Sequence, residues 1–269
     1  MPAPAISFER VAKIYEGQRA LAGVSLEVPA GQFVAVVGPS GSGKTTLLRL
    51  INRLAEPSEG TVRVEGEDVR AVDPVELRRR LGYVFQNIGL FPHMTVAENI
   101  AITPRLLGWD EARRSARVDE LIDLVRLDRT QHRDRFPHQL SGGQRQRVGV
   151  ARALAAEPRI VLMDEPFGAL DPITRDAIGQ DVRRLHDALG LTTLMITHDA
   201  LEAVLLADRI VVMNGGAVIA DGPPRALMGG DTDPYVRELM QTPRRQAERL
   251  HALMTGPDAQ GQDSKGLGA

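Results

Sequence analysis

Cysteine is absent from the 269 residues of this chain. Disulfides, thiolate metal sites and cysteine nucleophiles are thereby excluded, which fits a reducing compartment. Also missing is any surplus of positive charge: 33 Lys and Arg stand against 35 Asp and Glu, a formal net charge of −2. Coating nucleic acid needs a basic surface, so no direct nucleic-acid partner is expected. No uninterrupted apolar run approaches the ~20 residues that cross a bilayer, and the most apolar region, residues 200–220, is broken by Glu202, Asp208 and Arg209. Met1-Pro2-Ala3-Pro4-Ala5 carries no basic stretch leading into an apolar core, so no secretory signal is expected. Work at a membrane would then require a partner to hold the chain there. With 43% hydrophobic and 25% charged residues, the composition is that of a globular protein, long enough for one large α/β domain or two small ones.

The most informative stretch is Gly38-Pro39-Ser40-Gly41-Ser42-Gly43-Lys44-Thr45-Thr46. An apolar run, Phe33-Val34-Ala35-Val36-Val37, precedes it, and a helix-like run, Leu47-Leu48-Arg49-Leu50-Ile51, follows. A buried strand feeding a glycine-rich turn and then a helix is the setting of a phosphate-binding P-loop. Glycines let several backbone N–H groups converge on one anion, and the helix N-terminus adds partial positive charge. Lys44 then reaches the β- and γ-phosphates, and the Thr45 hydroxyl ligates Mg²⁺.

Before the P-loop, Ile6 to Val11 and Ala22 to Val28 alternate in polarity and predict strands. Tyr15, between them and just before turn residues, either stacks on adenine or packs as a half-buried strand tyrosine. Thr61 to Gly66 alternates again, and Asp73-Pro74 predicts a capped helix start. Leu81 to Phe85 reads as a buried strand delivering Gln86, whose amide either completes a Mg²⁺ shell or caps a turn. From Phe91 to Leu127 the pattern is helical, with Thr95 and Glu98 at capping-box spacing and Arg113, Arg114 and Arg117 read as a solvated face.

Leu140-Ser141-Gly142-Gly143-Gln144 opens another helix, giving either a second anion-binding N-terminus or a plain glycine-rich cap. Ile160 to Met163 is an apolar strand ending in two carboxylates, the Walker B arrangement. Asp164 would hold Mg²⁺, and Glu165, taken to point the other way out of the strand, would polarise the attacking water. Residues 191–197 form a last apolar strand before His198, which either contacts the γ-phosphate or is structural. Ile210 to Met213 and Ala217 to Ala220 read as a hairpin closing the fold. The end beyond Gly230 reads as helical and charged, and from Gly256 as disordered.

In sequence order, Tyr15, Gly38 to Thr45, Gln86, Leu140 to Gln144, Asp164-Glu165, Gly168-Ala169-Leu170-Asp171 and His198 resemble the series of the ATP-binding cassette (ABC) family over residues 6–230. The resemblance implies an α/β fold: a P-loop NTPase, RecA-like core with an N-terminal antiparallel β subdomain and a helical insertion, about 91–150, carrying the signature. The cassette is drawn at 1–240, with 241–269 as a helix end and tail. ATP and Mg²⁺ are the implied cofactors. Glu165, His198 and Lys44 are the implied catalytic residues. Tyr15, Gly38, Pro39, Ser40, Gly41, Ser42, Gly43, Lys44, Thr45, Thr46 and Gln86 are implied to bind ATP, and Thr45, Gln86 and Asp164 to hold the metal. The family pattern further implies a head-to-tail homodimer, in which Ser141, Gly142, Gly143 and Gln144 cover the ATP of the opposite subunit and Asp171 makes a dimer contact. Gly168 departs from the serine of many relatives, which leaves Asp171 the surer contact.

Residues 86–96 and 167–175 are, more finely, similar to importers of quaternary amines such as glycine betaine and choline. That likeness implies a peripheral motor on the cytoplasmic face of the membrane, joined to a permease and, in the assembled system, a solute-binding protein. Many relatives in that group add C-terminal regulatory domains for which this sequence has no room, so either regulation lies elsewhere or the cargo is another small solute. The rival reading is a soluble cassette acting on ribosomes or DNA. Against it stand the single cassette, the lack of basic excess and the apolar Ile88-Gly89-Leu90-Phe91 beside Gln86, which suits a protein partner.

Overall fold

The computed structural model describes residues 4–229 and 233–255, apart from the side chains of Gln246, Leu250 and residues 253–255. Strand β1 (Ile6–Tyr15) turns through Glu16-Gly17 into β2 (Gln18–Val28). Both turn residues have positive φ, 46° and 84°, as a two-residue hairpin requires. β3 (Phe33–Val37) leads to α1 (Lys44–Ile51), after which β4 (Glu59–Val64) and β5 (Glu67–Asp68) complete an antiparallel sheet of order β2-β1-β4-β5. This is the expected N-terminal subdomain. Its strands outrun the alternating segments because register shifts between Phe8 and Val11, and again between Lys13 and Ile14, break the period-two pattern.

Asp73 caps α2 (Pro74–Arg80) by accepting from the N–H groups of Val75 and Glu76. β6 (Leu81–Val84) is followed by the helical run α3 (Val96–Leu106), α4 (Glu111–Leu124), α5 (Arg129–His132) and α6 (Gly142–Leu154). The Thr95–Glu98 capping box is present at the start of α3. Arg117 departs from expectation: its side chain is only 11% exposed, with a guanidinium N–H donated to the Leu154 carbonyl at 2.9 Å. The run is not a free-standing solvated bundle, because α6 packs on β6 and α7 as well as on α3 and α4.

The chain continues through β7 (Ile160–Asp164), α7 (Pro172–Leu189), β8 (Thr192–Ile196), α8 (Ala200–Leu206), β9 (Arg209–Asn214), β10 (Ala217–Gly222), α9 (Pro224–Gly229) and α10 (Pro234–Thr255). The second sheet runs β10-β9-β3-β8-β7-β6, parallel except at the β10 edge. The expected hairpin is there, but it does more than close the fold, since β9 lies directly beside β3. α10 crosses the boundary drawn at residue 240 as one helix, and the tail expected to be disordered from Gly256 lies outside the described residues.

β3 explains how the layers stack. All five of its residues are buried, Phe33, Ala35 and Val37 in the core shared with α3, α4, α6 and α7, and Val34 and Val36 in the core shared with α1 and the antiparallel sheet. A strand buried on both faces reads as a continuous apolar run. Its carboxyl end, with those of β6, β7 and β8, forms the edge where ligands bind in such sheets.

Candidate functional site

The P-loop leaves β3 at Gly38 and enters α1 at Lys44, so Lys44, Thr45 and Thr46 form the first turn of that helix. Gly43 caps it at φ 99°, where an added Cβ would lie 2.6 Å from the Ala20 carbonyl oxygen. A Cβ on Gly38 would lie 2.1 Å from the Met213 carbonyl oxygen. Backbone crowding from β2 and β9 thus makes glycine obligatory at both ends of the loop. Lys44 Nζ donates to the carbonyl oxygens of Gly38 (2.8 Å) and Pro39 (2.9 Å), curling over the loop. Burial lowers its pKa, and the negative charges of Glu165 and Asp164 oppose that shift. The Ser42 hydroxyl is buried and has no hydrogen-bond partner among the described residues.

β7 and β8 bring the acidic groups to this edge. Burial, then the charge of Glu165, holds the Asp164 carboxyl above the usual range, opposed by the Tyr83 hydroxyl, Arg49 and the Thr45 side chain. Glu165 lies one residue past β7 and adopts φ 44°. Its direction is therefore set by a left-handed backbone turn and not by strand alternation, which corrects the expectation. Its Oε2 accepts from Gln86 Nε2 at 3.2 Å and lies 3.1 Å from His198 Nδ1. Gln86 is thus turned toward Glu165, while the Thr45 side chain acts to lower the Asp164 pKa. A Cβ on Gly168 would find only ordinary contacts, 3.9 Å from Glu165 Oε2 and 4.0 Å from His198 Cε1, so a serine would fit there without strain.

Ser141 is the cap of α6. Its hydroxyl accepts from Gln144 N at 3.2 Å, and Gln144 Oε1 accepts from Ser141 N at 2.9 Å. The side chains of this turn pair with each other's backbone and with His132; among the described residues no hydrogen bond joins it to the P-loop of the same chain. Gly142 has open space, with Leu170 Cδ2 at 3.8 Å from a built Cβ, whereas on Gly143 that atom would meet Thr174 Cγ2 at 2.5 Å. Asp171, exposed, caps α7 by accepting from Thr174 N at 3.0 Å. Tyr15 is the last residue of β1 and 38% exposed, with Lys13 Nζ 4.7 Å from its ring centroid, which fits the half-buried strand tyrosine and leaves the ring open to stacking.

Two residues at this edge escaped the sequence reading. The Tyr83 hydroxyl lies 3.5 Å from Asp164 Oδ2. Arg152, buried near the end of α6, donates to the carbonyls of Ile88 (2.7 Å) and Gly89 (2.6 Å) and so anchors the loop after Gln86. A tyrosine in an apolar strand and an arginine in a helix carry no local signal of such contacts.

The site suits a phosphate-bound magnesium ion in its donor chemistry. Mg²⁺ takes hard oxygen ligands and keeps few protein ones, completing its shell with phosphates and water. Asp164 offers a carboxylate and Thr45, whose side chain acts to lower the Asp164 pKa, a hydroxyl, and the Ser42 hydroxyl of the same loop has no hydrogen-bond partner among the described residues. Among the described residues no three His, Asp or Glu side chains converge as a dedicated metal cage.

Fold and site together define an ATP-binding cassette of the P-loop class. The chain belongs to the ABC transporter family, whose model matches residues 21–168. It is 48% identical over 236 residues to the glycine betaine/carnitine/choline transport ATP-binding protein OpuCA of Bacillus subtilis (strain 168), covering 87% of this chain and 62% of that one. It is 49% identical over 233 residues to the glycine betaine uptake system ATP-binding protein YehX of Escherichia coli (strain K12), covering 87% and 75%. Among solved structures it resembles the dimeric cassette MJ0796, a bacterial ABC transporter cassette, with TM-score 0.73 and 36% identity over 81% of this chain and 98% of that one. The same cassette is also known as a post-hydrolysis dimer bound to ADP and Pi (TM-score 0.72, 35% identity, 81% and 98% covered).

Proposed function

We propose that this chain is the ATP-hydrolysing motor of an importer, working as a head-to-tail homodimer on the inner face of a membrane and coupled to a separate permease. The observation that carries this reading is the Glu165 carboxylate held between Gln86 and His198 at the mouth of the P-loop. In this reading the loop from Gly38 to Gly43 cradles the phosphates of ATP with its N–H groups, and Lys44 turns from its carbonyl partners to the β- and γ-phosphates. Thr45, Asp164 and Gln86 are the protein donors to magnesium, which neutralises phosphate charge when bound. Glu165 accepts a proton from the attacking water, and His198 orients Glu165 and contacts the γ-phosphate. Tyr15, at the exposed end of its hairpin, stacks on adenine.

The signature turn Ser141 to Gln144 covers the nucleotide of a second copy, with Asp171 at the contact between copies. Its lack of a hydrogen bond to its own P-loop, and the dimeric form of the MJ0796 cassette, support that arrangement. A groove of about 560 Å³ beside Gln86, lined by Leu54, Phe85, Phe91, Ile102 and Leu106, receives an amphipathic helix of the permease. Among the described residues no helix is long and apolar enough to cross a membrane. The cargo is an osmoprotectant or other quaternary amine, delivered by a solute-binding protein. The substrates in the names of OpuCA and YehX and the likeness around residues 86–96 and 167–175 support this choice.

The test is uptake by vesicles carrying the chain and its permease. ATP-driven accumulation of glycine betaine is expected with the natural chain. Glu165→Gln should still bind ATP but lose hydrolysis and uptake by about 100-fold or more, and a nucleotide-bound dimer should accumulate. Undiminished phosphate release from that variant would remove Glu165 from its role.

A further inference from the structure

The signature turn does not stand alone. His132, the last residue of α5, is buried at 8% exposure, and its two ring nitrogens are both engaged. Nδ1 lies 2.9 Å from the Asp128 carbonyl oxygen, which can only accept, so Nδ1 carries the proton. Nε2 is then a bare lone pair, and 3.1 Å away it meets Gln144 Nε2, which can only donate. With its NH₂ directed at the imidazole, Gln144 presents Oε1 to the Ser141 N–H at 2.9 Å. The chain of donors and acceptors has one consistent orientation. Reversing the Gln144 amide would set its oxygen against the Nε2 lone pair and its NH₂ against the Ser141 N–H.

The segment bearing His132 is itself anchored. Asp128 accepts from the N–H groups of Thr130 and Gln131 and from both of their side chains. Beyond His132, the carbonyls of Arg133 and Arg135 accept from Ala97 and Val96, the opening N–H groups of α3. α3 is the helix whose Ile102 and Leu106 line the groove beside Gln86. A backbone clamp therefore holds the imidazole relative to α3, and the imidazole in turn holds the amide of Gln144.

We propose that His132 is a positioning residue for the signature, its Nε2 lone pair fixing the Gln144 amide and thereby the Ser141–Gln144 turn presented to a second copy's nucleotide. This rests on the head-to-tail reading above. The residue touches no nucleotide in that arrangement. It acts by removing the alternative amide orientation, which would leave the Ser141 N–H unpaired at the moment the turn closes on phosphate.

Three variants in the Glu165→Gln background separate this role from packing. His132→Gln places an amide oxygen near the Nε2 position and keeps the acceptor. His132→Asn places its polar atoms near Nδ1 and loses it, and His132→Phe keeps only ring volume. The readouts are the Mg·ATP concentration giving half-maximal dimer by size-exclusion chromatography, and binding of a fluorescent ATP analogue to the monomer. The Asn and Phe variants should need about tenfold more ATP to dimerise, on the scale of one lost hydrogen bond. The Gln variant should stay within about twofold, and monomer binding should be unchanged in all three. If Phe does not fold, Asn against Gln still decides. Equal behaviour of all the variants, or a parallel loss of monomer binding, would overturn the proposal. Failure of the Glu165→Gln parent to dimerise with Mg·ATP would instead overturn the head-to-tail reading, and this proposal with it.

Discussion

Tyr15 and Glu165 lie where a single side chain's surroundings decide its use. The Tyr15 ring stands at the tip of the β1–β2 hairpin with a cation over one face, and an exposed ring is available for stacking where a packed one is not. Tyr15→Ala should raise the apparent KM for ATP about tenfold, within the range of one base–aromatic stack, and leave kcat unchanged. Steady-state phosphate release measured against ATP concentration checks this, and an unchanged KM would remove the ring from the adenine site. Glu165 was legible as a residue type in the right place, since a carboxylate after an apolar strand is a strong local pattern. Its φ of 44° and its convergence with Gln86 and His198 were not legible, because the three come from separate strand ends. Conversely Lys44, Thr45 and the crowded glycines Gly38 and Gly43 were legible together, because the P-loop is a continuous stretch whose chemistry is local.

Caps show how one element serves two purposes. Asp171 stops the chain before α7 and satisfies an otherwise unpaired N–H of Thr174. Asp171→Ala should lower stability, read as a fall in melting temperature of about 2–4 °C. Asp171→Ser keeps a capping oxygen and should melt like the natural protein. If the carboxylate also bridges two copies, both variants should weaken ATP-driven dimerisation, and equilibrium sedimentation with Mg·ATP separates that loss from the cap. Gly143 carries a similar double demand: Thr174 on α7 leaves no room for a Cβ, whatever the signature binds. The caps at Asp73 and Thr95 were readable from residue spacing, since capping involves atoms within a few positions. Arg117 was misread as solvated because a helical charge pattern does not say that α6 ends against it.

At the scale of the whole molecule, the parallel sheet buries a histidine between α7 and β8. His186 lies against Phe33, its Nδ1 2.9 Å from the Thr193 hydroxyl, and burial, assisted by the Arg183 charge, lowers its pKa below the ordinary value. The unfolded chain takes up a proton near pH ~6.5 that the folded core refuses. Stability from this group is therefore fully present above that pH and is lost as the pH falls toward the depressed folded value. Melting temperatures followed from about pH 7.5 to about pH 5 should fall less steeply in His186→Gln; an equal slope would show that other groups govern acid unfolding. By itself, the sequence determined the P-loop, the paired carboxylates, the signature turn, the capped helices and an α/β alternation, because each depends on neighbours within a few residues. Tertiary structure alone decided that β9 lies beside β3, that Gln86 and His198 close on Glu165, and that His132 and Arg152 hold the signature turn and the loop after Gln86. The β3–β9 pairing and the convergence of Gln86, Glu165 and His198 join residues far apart in the chain through the order in which strands enter the sheet, whereas the His132 and Arg152 contacts come from how α5 and α6 pack; no local pattern encodes either.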